Sequence, residues 1–214
     1  VPLTLQAEWV AELRGITLPD VTLRVVEENK PLAVRRGSVL FAHFGLTGPA
    51  PLDVSRAVSG HAAPGRLSLE IDFLPGVPEP QYDEFLRTET AASGKKQLAV
   101  VLSEKLPRRV CDQLLTLVEL PVDRKAAALS KPDRQKLVAA TKRLRVPLRG
   151  TLGFEKAEVT AGGVNLDEVD SRTMQSKRTP GLYFAGEVLD LDGWIGGYNF
   201  QSAWSTGWLA GRNV

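Results

Sequence analysis

The sequence predicts an α+β protein in three consecutive parts: β-rich over residues 1–76, helical over 77–145, and a strand–turn–helix tail over 149–214. Three observations carry this. Arg66-Leu-Ser-Leu-Glu-Ile-Asp-Phe73 alternates polar and apolar residues, the pattern of a half-buried strand. Between residues 79 and 144, four segments repeat apolar residues at helical spacing, with Pro107, Pro121 and Pro132 at their boundaries, where proline is tolerated. The tail runs from apolar Leu182-Tyr-Phe-Ala185 through glycine-rich turns into a last helix with Phe200, Ala203, Trp204, Trp208 and Leu209 at three- and four-residue intervals.

Taken in order, Val1 to Leu5 reads as a short strand and Gln6 to Leu13 as a helical turn closed by Gly15. Val21 to Val26 is rich in β-branched residues and predicts a strand. Asn29-Lys30-Pro31 predicts a turn, and Leu32 to Arg36 with Ser38 to Phe44 two further strands of a meander. Phe41 to Ala50 reads as a loop, Leu52 to Val58 as a short helix and Arg66 to Phe73 as a strand. The helices are expected over Glu79 to Ala92, Lys96 to Leu106, Arg108 to Val118 and Pro132 to Leu144, the last capped by Ser130. Val146 to Leu148, Phe154 to Thr160 and Leu182 to Ala185 are expected strands, and Asn199 to Val214 the terminal helix. The clearest boundary falls near Val146 to Gly150.

Composition narrows the function classes. A net charge of +2 over 214 residues gives no overall field that argues for nucleic acid or membrane. Lysine and arginine outnumber acids between Lys95 and Arg149, which describes either a solvated helical face or a surface for an anionic partner. A single cysteine, Cys111, excludes an internal disulfide framework and fits a reduced, cytoplasmic setting. No signal peptide and no apolar run of about 18 residues is present. Two histidines and one cysteine this dispersed give no metal-ligand spacing, so no metal is expected.

The chemistry concentrates in the tail. Gly186 permits a sharp exit from the strand, and Glu187 sets a carboxylate at its C-terminal end, where it could accept from ribose or ribityl hydroxyls. Gly196-Gly197 then opens the last helix, whose first N–H groups lack intrahelical partners and carry partial positive charge of about half a unit. Such a terminus suits an electron-rich carbonyl or an anionic ring. Asn199 is expected to cap this helix and Gln201 to donate from its first turn. The bland alternative is an ordinary glycine turn with a surface glutamate.

Several long words resemble one family. Val159-Thr-Ala-Gly-Gly-Val164, Thr173-Met174, Gly181 to Gln201, Leu40-Phe-Ala-His-Phe-Gly-Leu-Thr-Gly-Pro49, Leu129-Ser-Lys131 and Gly150-Thr-Leu-Gly-Phe154 resemble the bacterial YhiN-like flavoproteins, which include aminoacetone oxidase and predicted NAD(FAD)-utilising dehydrogenases. The resemblance implies that residues 1–148 are a β-barrel-like insert domain with a helical subdomain, and 149–214 the C-terminal part of a glutathione-reductase-like FAD-binding α/β domain. It implies FAD as cofactor of the full-length protein, with NAD(P)H as a candidate donor and a small-molecule substrate. It places Gly186 and Glu187 by the ribityl-phosphate region, Gly197, Tyr198, Asn199 and Phe200 along the flavin's pyrimidine edge, and Gly162 and Gly163 facing the ring, with Gly196 also among the cofactor-binding residues.

The sequence departs from the family in one telling respect: no strand followed by Gly-x-Gly-x-x-Gly occurs. The chain is therefore expected to be a fragment of a longer protein, to hold FAD poorly alone, and to self-associate or meet a companion N-terminal polypeptide. Ala42 stands where the family commonly has threonine before His43, which removes a hydroxyl.

No catalytic acid or base is nominated, because a flavin carries the redox chemistry itself. His43 reads as a packed loop histidine or an active-site contact, and His61 as exposed. Asp190 and Asp192 could polarise a ligand or cap turns. Trp194, Trp204 and Trp208 are expected to pack the last helix and its approach, Trp194 being the one that could lie near a substrate. The alternative function is a non-catalytic binding module, or a truncated gene product without cofactor.

Overall fold

A computed structural model describes residues 1–92 and 95–214. The chain divides into two compact units, one of Pro2–Thr151 and one of Leu152–Val214 together with Val1.

The first unit is organised by a closed antiparallel barrel with strand order β1-β4-β3-β2-β5-β6. The strands are β1 (Leu3–Leu5), β2 (Thr17–Glu27), β3 (Lys30–Ala42), β4 (Gly45–Thr47), β5 (Leu67–Asp72) and β6 (Leu144–Thr151). Alternation fixes which side chains turn inward. On β5, Leu67, Leu69 and Ile71 are buried while Ser68 and Glu70 between them are not. Closure comes from β6, which pairs with β5 through Leu69↔Val146 and with β1 through Leu3↔Thr151. Closing the sheet leaves no free edge.

The meander differs from the sequence expectation in two ways. The turn sits at Glu28 and Asn29, with Glu28 at φ 56°, and Pro31 already pairs with Val26 inside the ladder. The two strands expected on either side of Gly37 are one continuous strand, because Gly37 pairs with Val21 across a register shift instead of breaking the chain. Within the expected loop 41–50, Gly45–Thr47 forms β4 against β3 and β1.

Helix α1 (Trp9–Glu12) follows β1, and α2 (Pro49–Ser59) follows β4 with proline at its start. The helical layer comprises α3 (Glu79–Ala92), α4 (Leu98–Leu102), α5 (Arg108–Leu117) and α6 (Lys131–Lys142). Helix α4 is shorter than the expected 96–106; the chain at 95–97 is instead held by a bridge between Gln97 and Lys125. Ser130 caps α6 by accepting from the Asp133 amide at 3.2 Å. Tyr82, Leu86, Leu98, Leu102, Leu114 and Leu137 are buried in the same core cluster as the barrel interior.

The second unit has little regular structure before α7 (Tyr198–Gly211). Residues 154–160, expected as a strand, form a 3₁₀ turn at Phe154–Lys156 followed by irregular chain, and Phe154 is exposed. Residues 182–185 are extended but pair only through an isolated bridge, Gln175↔Tyr183. Apolar runs signal strands, but a ladder needs a partner, and these segments find only single-residue bridges within the unit. A small cluster of Val169, Met174, Leu189 and Ala210 forms its core. Among the described residues, no helix is long and apolar enough to cross a membrane.

Candidate functional site

The glycine-rich tail folds into a cleft within the second unit. After residues 182–185, the chain turns through a 3₁₀ segment at Gly186–Val188. Glu187 there accepts from the Thr160 amide at 2.5 Å, which draws residues 158–160 alongside. The same region is tied by a parallel bridge: Val164 N–H donates to Val188 O at 2.8 Å, and Asp190 N–H to Val164 O at 3.0 Å. Gly163 explains the closeness. A Cβ at that position would lie 2.4 Å from Val188 O, so only glycine permits the approach.

The second wall is the start of α7. Gly197, at φ 96°, occupies the cap position, with no side chain capping the helix. Asn199 clamps the preceding turn: its Oδ1 accepts from Gly193 N–H at 2.7 Å and its Nδ2 donates to Gly193 O at 3.0 Å. The expected capping role of Asn199 is thus replaced by a reciprocal amide pair that fixes the loop 193–199. Gln201 donates along the helix to Ser205 Oγ at 3.0 Å, not toward the cleft.

Between these walls lies a cleft of about 560 Å³, in the range of small-molecule sites. Six of the nine sequence-predicted residues line it: Gly186, Glu187, Gly196, Gly197, Asn199 and Phe200. Tyr198, Gly162 and Gly163 do not. Tyr198 is exposed, and Gly163 serves the backbone approach described above. Asp190 and Asp192 are also absent from the lining.

The sequence reading missed Thr160, Ile195, Ser202 and Ala203, all of which line the cleft. Ser202 and Ala203 sit three and four residues beyond Asn199, so helical spacing alone places them on its face. Thr160 has no such signal, since the contact with Glu187 brings it in from 27 residues away.

The backbone donors divide into two groups. The Gly186 amide is committed internally, donating to Thr206 Oγ1 at 2.9 Å. The amides of Gly196, Gly197, Tyr198, Asn199 and Phe200 donate to no acceptor among the described residues. At a helix start, such unpaired N–H groups make a weak positive pole. No lysine or arginine lines the cleft, while Glu158 and Glu187 do. Combined with the apolar Val159, Leu191 and Ile195, this arrangement fits a neutral, planar heterocycle with carbonyl acceptors better than it fits a phosphate.

Elsewhere, His43 is exposed at the β3–β4 tip with its ring 5.0 Å from Phe44. His61 is half-buried, not exposed: Nδ1 accepts from the Ala63 amide at 3.1 Å, and Nε2 lies 3.6 Å from Glu27. The described residues hold no metal-binding group of three or more candidate side chains.

Comparison with known proteins gives consistent results. Residues 1–159 match the family described as HI0933-like protein barrel and H2TH domain. The chain is 38% identical over 217 residues to the ribosomal RNA dihydrouridine synthase of Escherichia coli, covering all of this chain and 51% of that protein. It is 34% identical over 207 residues to the protein of the same name from Haemophilus influenzae, covering 97% of this chain and 48% of that one. It is 32% identical over 194 residues to the 3-dehydro-bile acid delta(4,6)-reductase of Clostridium scindens, covering 90% and 47%. The chain spans about half the length of the curated relatives it matches.

Proposed function

The chain belongs to the family of HI0933-like proteins with a barrel and H2TH domain, and from that premise we propose that it supplies the barrel, the helical layer and the C-terminal cofactor wall of an FAD-dependent oxidoreductase. Read as reactions, the names of its relatives share one chemistry: both add two hydrogens across a carbon–carbon double bond near a carbonyl. We propose that class, reduction of a carbonyl-conjugated double bond, for the complete enzyme, with a nicotinamide nucleotide as electron donor.

The observation that carries the reading is the set of unpartnered amides at 196–200 opening onto a mostly apolar cleft. When bound, a flavin would supply hydride from N5 to one carbon of the double bond, which itself needs no acid or base of the protein, and the other carbon would take a proton from water or a general acid. The residues of this chain bind and orient. The α7 amides would donate to the carbonyl-bearing edge of the ring, and their pole would favour negative charge gathering there on reduction. Val159, Leu191 and Ile195 would exclude water from the ring face. The Asn199–Gly193 clamp holds the donors in place. No lysine or arginine lines this cleft, so we place the binding of the cofactor's pyrophosphate elsewhere.

Riboflavin titrated into the ¹⁵N-labelled chain tests the reading. Amide shifts are expected at Gly196, Gly197 and Asn199, and FAD in place of riboflavin should bind no more tightly. Riboflavin shifts confined to other residues would defeat the assignment.

The same reading covers the outer face of α7. Trp204 and Trp208 are exposed and do not line the cleft, and Phe200, which does line it, is exposed beside them. We propose that this face is covered by a second copy of the chain or by a companion polypeptide that completes the cofactor domain.

A further inference from the structure

We propose that a pocket in the first unit, where the barrel meets the helical layer, binds a small carboxylic acid with an apolar body. This pocket shares no residue with the cleft of the second unit, and the proposal is independent of the redox reading.

Three stretches of chain converge there. The first is Leu18, Pro19 and Asp20 of β2. The register of β2 against β3 shifts between Leu18 and Val21, so Pro19 and Asp20 stand out of the ladder in a bulge, a strand position that tolerates proline. The second is the connection from β5 to α3, residues 73–77. The third is Lys105, Leu106 and Pro107, between α4 and α5. Leu18, Phe73 and Leu106 are buried and make an apolar floor. Each stretch adds one proline to the walls: Pro19, Pro75 and Pro107. The volume is about 280 Å³, at the small end of ligand sites.

The walls are held without a ligand. The Lys142 ammonium donates to the carbonyls of Leu74 and Val77, at 2.7 Å for Val77. Val77 N–H donates to Leu74 O at 3.0 Å, and Leu74 N–H to the Asp72 carboxylate at 3.0 Å. On the helical side, Val110 and Cys111 N–H both donate to Pro107 O, at 2.9 and 3.1 Å, and Leu106 N–H donates to Leu102 O at 3.2 Å. The prolines fix φ at three points of the wall. A site built this way loses little conformational freedom on binding.

Charge selects the ligand. Asp20 and Lys105 are the charged side chains in the lining. Asp20 is already used: Oδ1 accepts from Arg36 Nε at 2.7 Å and Oδ2 from Arg36 Nη2 at 2.8 Å. That guanidinium borders the pocket, because a Cβ on Gly76 would lie 3.7 Å from Arg36 Nη2. Lys105 is exposed and forms no ion pair among the described residues. Its ammonium lies 5.0 Å from the centroid of the Phe85 ring, a contact that positions the charge and leaves N–H donors for an anion. The pocket therefore has one positive charge unmatched, at the rim of an apolar hollow. A carboxylate on an apolar body matches both features. A phosphate would set a second negative charge beside Asp20 with one ammonium to receive it, and a cation would meet the charge of Lys105.

Hydrocinnamate titrated into the ¹⁵N-labelled 214-residue chain, without flavin, tests this, with the neutral amide of the same acid as its counterpart. The acid should bind with a Kd of about 1 mM or tighter and shift the amides of Leu74, Gly76, Val77 and Leu106. Lys105→Met keeps an apolar stem and removes the charge. It should weaken the acid about fivefold and leave the weaker binding of the neutral amide unchanged, while Lys105→Arg retains the acid. Both variants should keep the wild-type spectrum away from these residues. Failure of the acid to bind, equal affinity of the acid and its amide, or an unchanged affinity in Lys105→Met overturns the proposal. So do shifts centred on Gly196 and Gly197, which would place the acid in the other cleft.

Discussion

Lys142 holds its ammonium 2.7 Å from the Asp72 carboxylate, and both side chains are almost wholly out of solvent. The same ammonium donates to the carbonyls of Leu74 and Val77, at 2.7 Å for Val77, while Asp72 also accepts from the Leu74 amide at 3.0 Å. One lysine at the end of α6 thus satisfies the chain where it leaves the barrel at β5 and approaches α3. A buried pair is costly to form, but removing one partner strands the other charge. Lys142→Met should therefore lower stability by about 3–5 kcal/mol, measured by urea unfolding. Because the pair is shielded, the loss should be nearly the same in 50 and 500 mM salt. A loss below about 1 kcal/mol would show that Asp72 is solvated after all.

Tyr82 is fully buried between α3 and the rest of the helical core, yet its hydroxyl makes no hydrogen bond among the described residues. The Thr141 hydroxyl beside it donates to Leu137 O at 2.8 Å, and its oxygen, though free to accept, does not meet the phenol at hydrogen-bonding geometry. Burial drives the phenol's ionisation well above its ordinary range. A buried polar group without a partner costs about 1–3 kcal/mol. Tyr82→Phe keeps the ring and removes the group, so it should raise stability by about 1 kcal/mol. A clear destabilisation in the same unfolding assay would reveal a partner for that hydroxyl.

Cys111 is fully buried, and desolvation pushes its thiol up to about 11. The native chain should fail to react with a disulfide reagent at pH 8, and one thiol should appear in guanidinium. The sign for stability follows. The folded value exceeds the ordinary value of 9.0, so the thiol's contribution is complete below about pH 9 and is lost as pH rises toward 11. Cys111→Ser, whose hydroxyl does not titrate in that window, should flatten this part of the stability–pH curve. Unfolding midpoints at pH 8, 9, 10 and 11 for both chains decide it.

What the sequence revealed and concealed follows physical range. Helix α3 over Glu79–Ala92 matches its expected span, because periodicity and proline boundaries are local signals. The closing pair of the barrel joins Leu3 to Thr151, a contact that no local pattern encodes. The apolar run 182–185 was readable as strand-like, but its neighbours supply only a single bridge. At the cleft, Gly196-Gly197 marked the helix start from sequence alone. Gly162 and Gly163 looked equally ligand-directed, yet Gly163 answers to the carbonyl of Val188. A glycine needed for packing and a glycine needed for a ligand are written with the same letter.

Helix α7 carries two faces of opposite character, and the outer one yields the last prediction. Asn199, Ser202 and Ala203 line the cleft and Thr206 accepts from the Gly186 amide, whereas Trp204 and Trp208, 69% and 62% exposed, do not line it; Phe200, 69% exposed, lines the cleft at the border of the two faces. The expectation that Trp204 and Trp208 pack the helix onto its own unit is therefore reversed. Within the stripe, the Phe200 and Trp204 rings lie 6.1 Å apart, and the Arg212 guanidinium sits 4.6 Å over Trp208. A row of aromatic side chains at helical spacing is an interaction surface or an aggregation hazard. The chain alone should elute from gel filtration as a dimer or larger species, with its apparent mass falling on dilution. The double variant Trp204→Ser with Trp208→Ser should move it to the monomer position without altering the riboflavin-induced shifts at Gly196 and Gly197, because neither tryptophan lines the cleft. A wild-type chain that is monomeric at about 100 µM, a concentration at which even weak apolar association is populated, would show that these rings need no cover.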